Sequence, residues 1–322
     1  MSLNNHEAAV RISVVVPNYN HAHFLPRCLE ALLDQPVPPS EILVLDDGSK
    51  DNSRDVLRSY VQKSPLIHVH YNERNLGVCE TMNRGLALAQ GDYVAFPAAD
   101  DQVKPGLFRH ASEMLSAYPQ AGVCSGICEW RSEASGLSWY VGAGMPKQAG
   151  YIRPQDMINF GRQGKLVIAG QNAVYKKSAL IEAGGWIPEL RWFTDWFGAY
   201  VVGFRYGMCH VPEVLSVLNI QPNSYYHSAK GLAERRQVLQ SILRLLLTEK
   251  YADVEPLIRR SGIWGAFGWP GLQVVLGRPG NWRFFNNALA LNAGRRCAEV
   301  LGSRYFPTWL ARLCLKVFYS KG

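Results

Sequence analysis

The feature of this sequence that most restricts its fold is a repeated pairing. A short aliphatic run ends in a polar breaker, and a segment of helical length follows. Ile12 to Val16 (ISVVV) ends at Pro17-Asn18-Tyr19-Asn20, and Glu41 to Leu45 (EILVL) ends at Asp46-Asp47-Gly48-Ser49. Asp92 to Phe96 (DYVAF) ends at Pro97-Ala98-Ala99-Asp100-Asp101. Such near-continuous apolar runs suit strands covered on both faces. Between them Leu25 to Leu33, Asp51 to Val61 and Val78 to Ala89 read as helices, with Pro26 tolerated in a first turn and Asp51 or Ser53 near a cap. Ile67 to Tyr71 reads as a further strand, Val103 to Tyr118 as a helix and Gly122 to Cys128 as a strand. The pattern predicts an α/β domain: a mostly parallel sheet with helices on both faces.

With 48% hydrophobic residues over 322 positions, the chain carries enough apolar mass for a packed core, which excludes disorder as its overall state. Its seven cysteines form no CxxC pair and lack a His at finger-like spacing, so buried thiols in a reducing compartment are expected rather than zinc ligands or disulfides. Met1 to Arg11 has no apolar signal-peptide core, and no stretch supplies the ~20 apolar residues of a membrane span. A cytoplasmic location is the expectation.

Charge divides the chain. Residues 1–229 hold 19 Lys and Arg against 21 Asp and Glu, whereas residues 230–322 hold 15 against 5. The expected division is a catalytic domain over 1–228 and a basic helical region over 229–322. In that region Leu232 to Thr248 reads as an amphipathic helix with Arg235, Arg236 and Arg244 interleaved. Ser261 to Gly277 is uncharged and contains Trp264, Phe267 and Trp269, and Phe306 to Tyr319 places aromatics and basic residues at helical spacing. Two uses remain open: packing against the catalytic domain or a second copy, and docking on an anionic membrane surface. Nucleic acid is not an expected partner.

In open α/β sheets ligands gather beyond the carboxyl ends of the strands, where all three polar clusters fall. Asp, Asn, Gly and Ser are also ordinary turn formers. Four Asp side chains near one edge would nonetheless repel one another unless donors or a cation offset them, and a divalent cation carrying a phosphate ligand meets that need.

The run IxVVVPNYN, then VLDDGSKDNS, then NLGVCETMNRGLALAQGDYVAFPAADD resembles an inverting family 2 glycosyltransferase, and Gly184-Gly185-Trp186 with LRWFTDW resembles the later GGF…ED block. The likeness covers roughly residues 11–220. It implies the GT-A fold and a nucleotide-sugar donor. By that resemblance Pro17, Tyr19 and Asn20 belong to the nucleobase end, and Asp47 accepts a hydrogen bond from the base N3–H, which favours UDP or dTDP. Asn75, Gly77 and Arg84 fall near base and phosphates, although a helix interior is an equal reading for Arg84. Asp100 and Asp101 occupy the metal motif, with Asp101 expected to coordinate Mg²⁺ or Mn²⁺ directly. Ala98 stands where many relatives carry a further carboxylate.

Asp195 matches the catalytic base, although Thr194 precedes it where the family has Glu, and capping of the following helix is the alternative. Trp186, Trp192 and Trp196 are candidates for a sugar platform, core packing being the commoner fate of a Trp. The QxxRW motif and flanking spans of processive synthases are missing, so transfer of one sugar to a glycan or polyprenyl-linked acceptor is expected, with peripheral contact at the inner face of the membrane. The pyrophosphorylases that share the fold class open with a Gly-rich loop that PNYNHAH lacks. A catalytically impaired nucleotide-sugar-binding or scaffold protein is the alternative function.

Overall fold

A computed structural model describes residues 10–132, 136–220 and 231–305, with side chains as far as residue 298. The first half of the sheet forms as the apolar runs predict. Strands β1 (Ile12–Asn18), β2 (Glu41–Asp46), β3 (Ile67–Tyr71) and β4 (Tyr93–Ala95) lie parallel in the order β3-β2-β1-β4. Helices α1 (Leu25–Leu33), α2 (Ser53–Lys63) and α3 (Val78–Leu88) connect them. Every residue of β2 is buried, as expected for a strand covered on both faces. The register sets Asn18 opposite Asp46, so the polar ends of β1 and β2 meet.

Beyond β4 the direction changes. The elements are β5 (Gln102–Val103), α4 (Leu107–Ala117), β6 (Val123–Ser132), β7 (Leu137–Val141), β8 (Gly150–Ile152), α5 (Pro154–Arg162), β9 (Val174–Lys176), α6 (Lys177–Glu182), α7 (Thr194–Tyr206) and β10 (Met208–Ile220). The sheet continues β4-β9-β6-β10-β5, antiparallel at β4–β9, β9–β6 and β10–β5 and parallel at β6–β10. Strand β7 folds back on β6, and β8 pairs with β10. The helix expected from Val103 starts only at Leu107, because Gln102 and Val103 pair with β10 and Pro105-Gly106 intervenes, Gly106 at φ 95°.

The C-terminal part supplies α8 (Leu232–Leu246), α9 (Glu255–Ser261), α10 (Gly268–Leu276) and α11 (Asn287–Tyr305). The apolar stripe of α8, Val238, Leu239, Ile242, Leu243 and Leu246, is buried, its four Leu and Ile side chains in the same core as Trp186 and Phe197. Of the two uses open to this helix, packing against the protein is the one the structure displays. The boundary expected near 228 and the segment Phe306 to Tyr319 lie outside the described residues. No described helix is long and apolar enough to cross a membrane. The six described cysteines are free thiols, five of them buried.

Candidate active site

Three clusters meet at the carboxyl edge of the sheet. At the ends of β1 and β2, the Asn18 amide donates to Asp46 Oδ1 (2.8 Å) and Ser49 Oγ (3.2 Å). The Asn20 N–H donates to the same Ser49 hydroxyl at 2.9 Å, and Asn20 Oδ1 accepts the Lys50 N–H at 2.8 Å. This holds Asn20 at φ 56° and leaves the Tyr19 ring 42% exposed at the mouth, with Pro17 half-buried behind it. Asp47 is buried and held by three donors, with acceptor capacity left on Oδ2: Oδ1 accepts from Asn72 Nδ2 (2.7 Å) and the Leu76 N–H (2.8 Å), and Oδ2 accepts from the Gly77 N–H (2.9 Å).

Gly77 adopts φ 90°, the conformation that turns its N–H toward Asp47 at the start of α3, and Asn75 Oδ1 shares that N–H at 2.9 Å. Arg84 donates to the Tyr71 carbonyl and to Asn72 Oδ1, so it braces the same loop. The carboxylates of the second strand end are thus offset by amide donors rather than by a cation. Asp47, Asn75, Gly77 and Arg84 form one network, joined through Asn72. Sequence reading missed Asn72 and Asn18. Their signal is the one used for the Asp pairs, a polar side chain just past a buried strand.

The third cluster holds Asp100 and Asp101. Arg27 donates to the Asp100 carbonyl at 2.8 Å, and Asn219 of β10 donates its amide to the same carbonyl (3.1 Å) and its N–H to Asp101 Oδ1 (3.2 Å). Burial, with Asp100 alongside, pushes Asp101 up to about 8. A carboxyl so placed gains from a cation that offsets both effects. Among the described residues no three His, Cys, Asp or Glu side chains cluster as a metal cage. The donor set therefore fits an ion held by one or two carboxylates plus phosphate oxygens, the habit of Mg²⁺, and not one held by protein alone. Asn219, which orients the pair, carried no signal in the sequence.

Asp195 reaches the same edge by a different route. Strand β9 runs antiparallel, so its first residue, Val174, lies opposite Ala95 at the end of β4. The 3-10 turn Gly170–Asn172 before it therefore sits at the carboxyl edge, pinned where Asn172 Oδ1 accepts from Ser125 Oγ and the Gly126 N–H at 3.0 Å each. A Cβ on Gly170 would stand 3.3 Å from Asp195 Oδ2, a close approach that glycine permits.

Asp195 lies in the first turn of α7, and its Oδ1 accepts the Trp196 N–H at 2.7 Å. Burial pushes its carboxyl up to about 6 against the lowering effect of that bond. Thr194 Oγ1 accepts the Ile187 N–H at 2.6 Å and so closes the loop ahead of the helix. In that loop Arg191 takes φ 49° and ψ −125°, which costs an L-residue about 1–3 kcal/mol. It is held by an ion pair with Glu234 of α8, and its guanidinium lies 5.9 Å from the Trp192 ring centroid.

The three tryptophans separate. Trp186 is 2% exposed and packs edge-on against Phe96 and Tyr175, so it offers no face to a sugar. Trp192 is also buried. Only Trp196 is part-exposed, and it packs against Tyr200, Trp264 and Phe267.

The fold that arranges these groups is that of the GT-A transferases. Staphylococcus aureus TarS 1–349, solved in complex with UDP-GlcNAc, superposes with a TM-score of 0.64 over 96% of this chain and 91% of that one, at 16% identity. The mannosyltransferase PcManGT from Pyrobaculum calidifontis, solved with GDP-Man and Mn²⁺, gives 0.57 over 98% and 89%, at 19% identity. Residues 13–184 match the glycosyl transferase family 2, and the chain belongs to that family. A putative teichuronic acid biosynthesis glycosyltransferase, TuaG of Bacillus subtilis (strain 168), is 40% identical over 93 residues, 29% of this chain and 37% of the relative. Across this and two other curated relatives the chain spans 35–56% of their length.

Proposed function

We propose that this glycosyltransferase moves one sugar, with inversion, from a UDP- or dTDP-linked donor to a glycan or polyprenyl-linked acceptor in cell-envelope polysaccharide synthesis. The observation that carries the reading is Asp195, a half-buried carboxyl at a helix start whose affinity for a proton is raised to about 6 on the edge that also holds Asp47 and Asp101. Inversion is a single displacement. The acceptor hydroxyl attacks the anomeric carbon, the bond to the nucleotide breaks, and the hydroxyl proton passes to an Asp195 oxygen. A base whose pKa lies just below neutrality is ionised and still takes a proton readily, which contributes about 10²–10⁴-fold. Gly170 and the α7 backbone fix where that oxygen stands.

Asp47 and the loop Asn72 to Gly77 bind the base, with Tyr19 as its stacking face and Pro17 and Asn20 shaping the pocket wall. Arg84 braces that loop. Asp101, with Asp100, would hold a divalent cation, which supplies charge neutralisation at the diphosphate when bound. The Mn²⁺ in the PcManGT structure and the name of TuaG support the metal and the polysaccharide context respectively.

The test is calorimetric titration of UDP, dTDP, GDP and ADP, each with Mn²⁺ and with EDTA. Metal-dependent binding of UDP or dTDP, lost in Asp47→Ala and Asp101→Ala, is the expected result. Binding of GDP alone would overturn the pyrimidine reading, and binding unaffected by EDTA would overturn the metal role.

A further inference from the structure

With the apolar stripe of α8 consumed by the core, the free apolar surface of the C-terminal part lies elsewhere. Helix α10 places Trp269, Gln273 and Leu276 on one stripe, four and three residues apart. Trp269 is 55% exposed and Leu276 49%. The Trp282 indole N–H donates to the Leu276 carbonyl at 3.0 Å, which plants this 57%-exposed ring at the end of the same stripe. Phe285, 49% exposed, closes the following 3-10 turn (Pro279–Phe284) with its N–H on the Trp282 carbonyl at 2.8 Å. Single exposed apolar residues are ordinary, whereas two Trp and a Leu along one stripe, with an exposed Phe in the turn that follows, mark an interaction surface.

Charge narrows the partner. From Pro256 to Ala298 the sequence holds six Arg and no Asp, Glu or Lys. Arg278 is exposed between Leu276 and Trp282, whereas Arg283, half-exposed, is ion-paired with Glu255 at 3.6 Å. A two-fold contact through this turn would set Arg278 against its own copy, and the neighbouring carboxylate, Glu255, is already shared by Arg259 and Arg283. Tryptophan rings beside arginines instead suit the head-group layer of an anionic bilayer, where the ring body meets acyl chain and the guanidinium meets phosphate.

We propose that the ridge Trp269–Leu276–Trp282–Phe285 lies flat on an anionic membrane surface. The ridge is tied to the catalytic helix: Phe267, just before α10, packs on Trp196 at 4.7 Å, next to Asp195. Docking therefore fixes the position of Asp195 relative to the bilayer. For its purpose, though not for its physics, the proposal rests on the lipid-linked-acceptor reading above.

The experiment is co-sedimentation of the full chain with vesicles of phosphatidylcholine, with and without one-third phosphatidylglycerol, at low and high salt. Binding is expected only with phosphatidylglycerol and is expected to weaken with salt. Trp269→Ser/Trp282→Ser should lower partitioning by about tenfold or more, and Arg278→Glu by roughly tenfold, with the melting temperature and UDP titration unchanged. Wild-type chain that stays in the supernatant overturns the proposal, as does a double variant that pellets like wild type. A double variant that changes oligomeric mass without vesicles makes the ridge a contact between copies. Binding lost only on removal of 306–322 assigns the membrane to that segment. Loss of nucleotide binding would sink the transferase reading and leave this result standing, and the reverse also holds.

Discussion

Asp195→Asn separates a catalytic base from a helix cap by the sign of a stability change. The carboxyl takes its proton at about 6 in the folded chain against 3.8 as the ordinary value. The folded state therefore binds that proton more tightly than the unfolded state. Stability falls as pH rises through this interval, and above about 6 the full deficit is present because the native state must hold a desolvated anion. At about 1.36 kcal/mol per pKa unit the interval is worth about 3 kcal/mol. Partial exposure lets water reclaim some of it, leaving about 2 kcal/mol.

Asparagine keeps the shape and still accepts the Trp196 N–H, but it carries no charge. The variant should gain about 2 kcal/mol at pH 8, roughly 4 °C in melting temperature, and about nothing at pH 4. Transfer should fall by about 10²–10⁴-fold while UDP binding holds. A carboxylate that merely capped α7 predicts the opposite sign, a loss of about 0.5–1 kcal/mol from removing an anion at the positive end of the helix. Thermal melts of both proteins from pH 4 to 8 decide the matter. A variant less stable than wild type at pH 8 would refute the desolvated-base argument.

Other perturbations test the rest of the site. The rate of transfer should fall about tenfold per pH unit below about 6 as Asp195 takes up its proton, and a flat profile down to pH 5 would remove it as the base. Gly48→Ala puts a Cβ 2.8 Å from the Arg74 carbonyl carbon at φ 73°, so chemical denaturation should show a loss of about 2–3 kcal/mol along with weakened nucleotide binding. Glu234→Gln releases the strained Arg191 from α8; kcat should drop several-fold with the donor affinity unchanged, and equal loss in both would place Glu234 in donor binding. Asn172→Ala strips the turn under Asp195 of four buried hydrogen bonds, for which a stability loss of about 2–4 kcal/mol is expected in denaturant titrations.

Much of this protein was legible in one dimension because its signals are local. A buried strand needs a run of apolar residues, a strand end needs breakers, and the carboxylates at those ends follow both, so β1 to β4 and the strand-end positions of Asp47, Asp100 and Asp101 were legible in the sequence, whereas Asp195 was singled out only through its likeness to the GGF…ED block. Direction and burial are different in kind. Whether β9 runs up or down depends on the excursion before it, and nothing in Val174 to Lys176 encodes that. Asn72 and Asn219 are ordinary polar residues until the fold carries them to Asp47 and Asp101. Three tryptophans within eleven residues look alike as letters, yet two are buried and one is part-exposed. The amphipathic stripe of α8 gave no sign whether water, lipid or protein would meet it; the core took it, and the uncharged stretch around Trp269 was left at the surface. Sequence periodicity determines which faces are apolar, and only the assembled tertiary structure decides which of them remain uncovered.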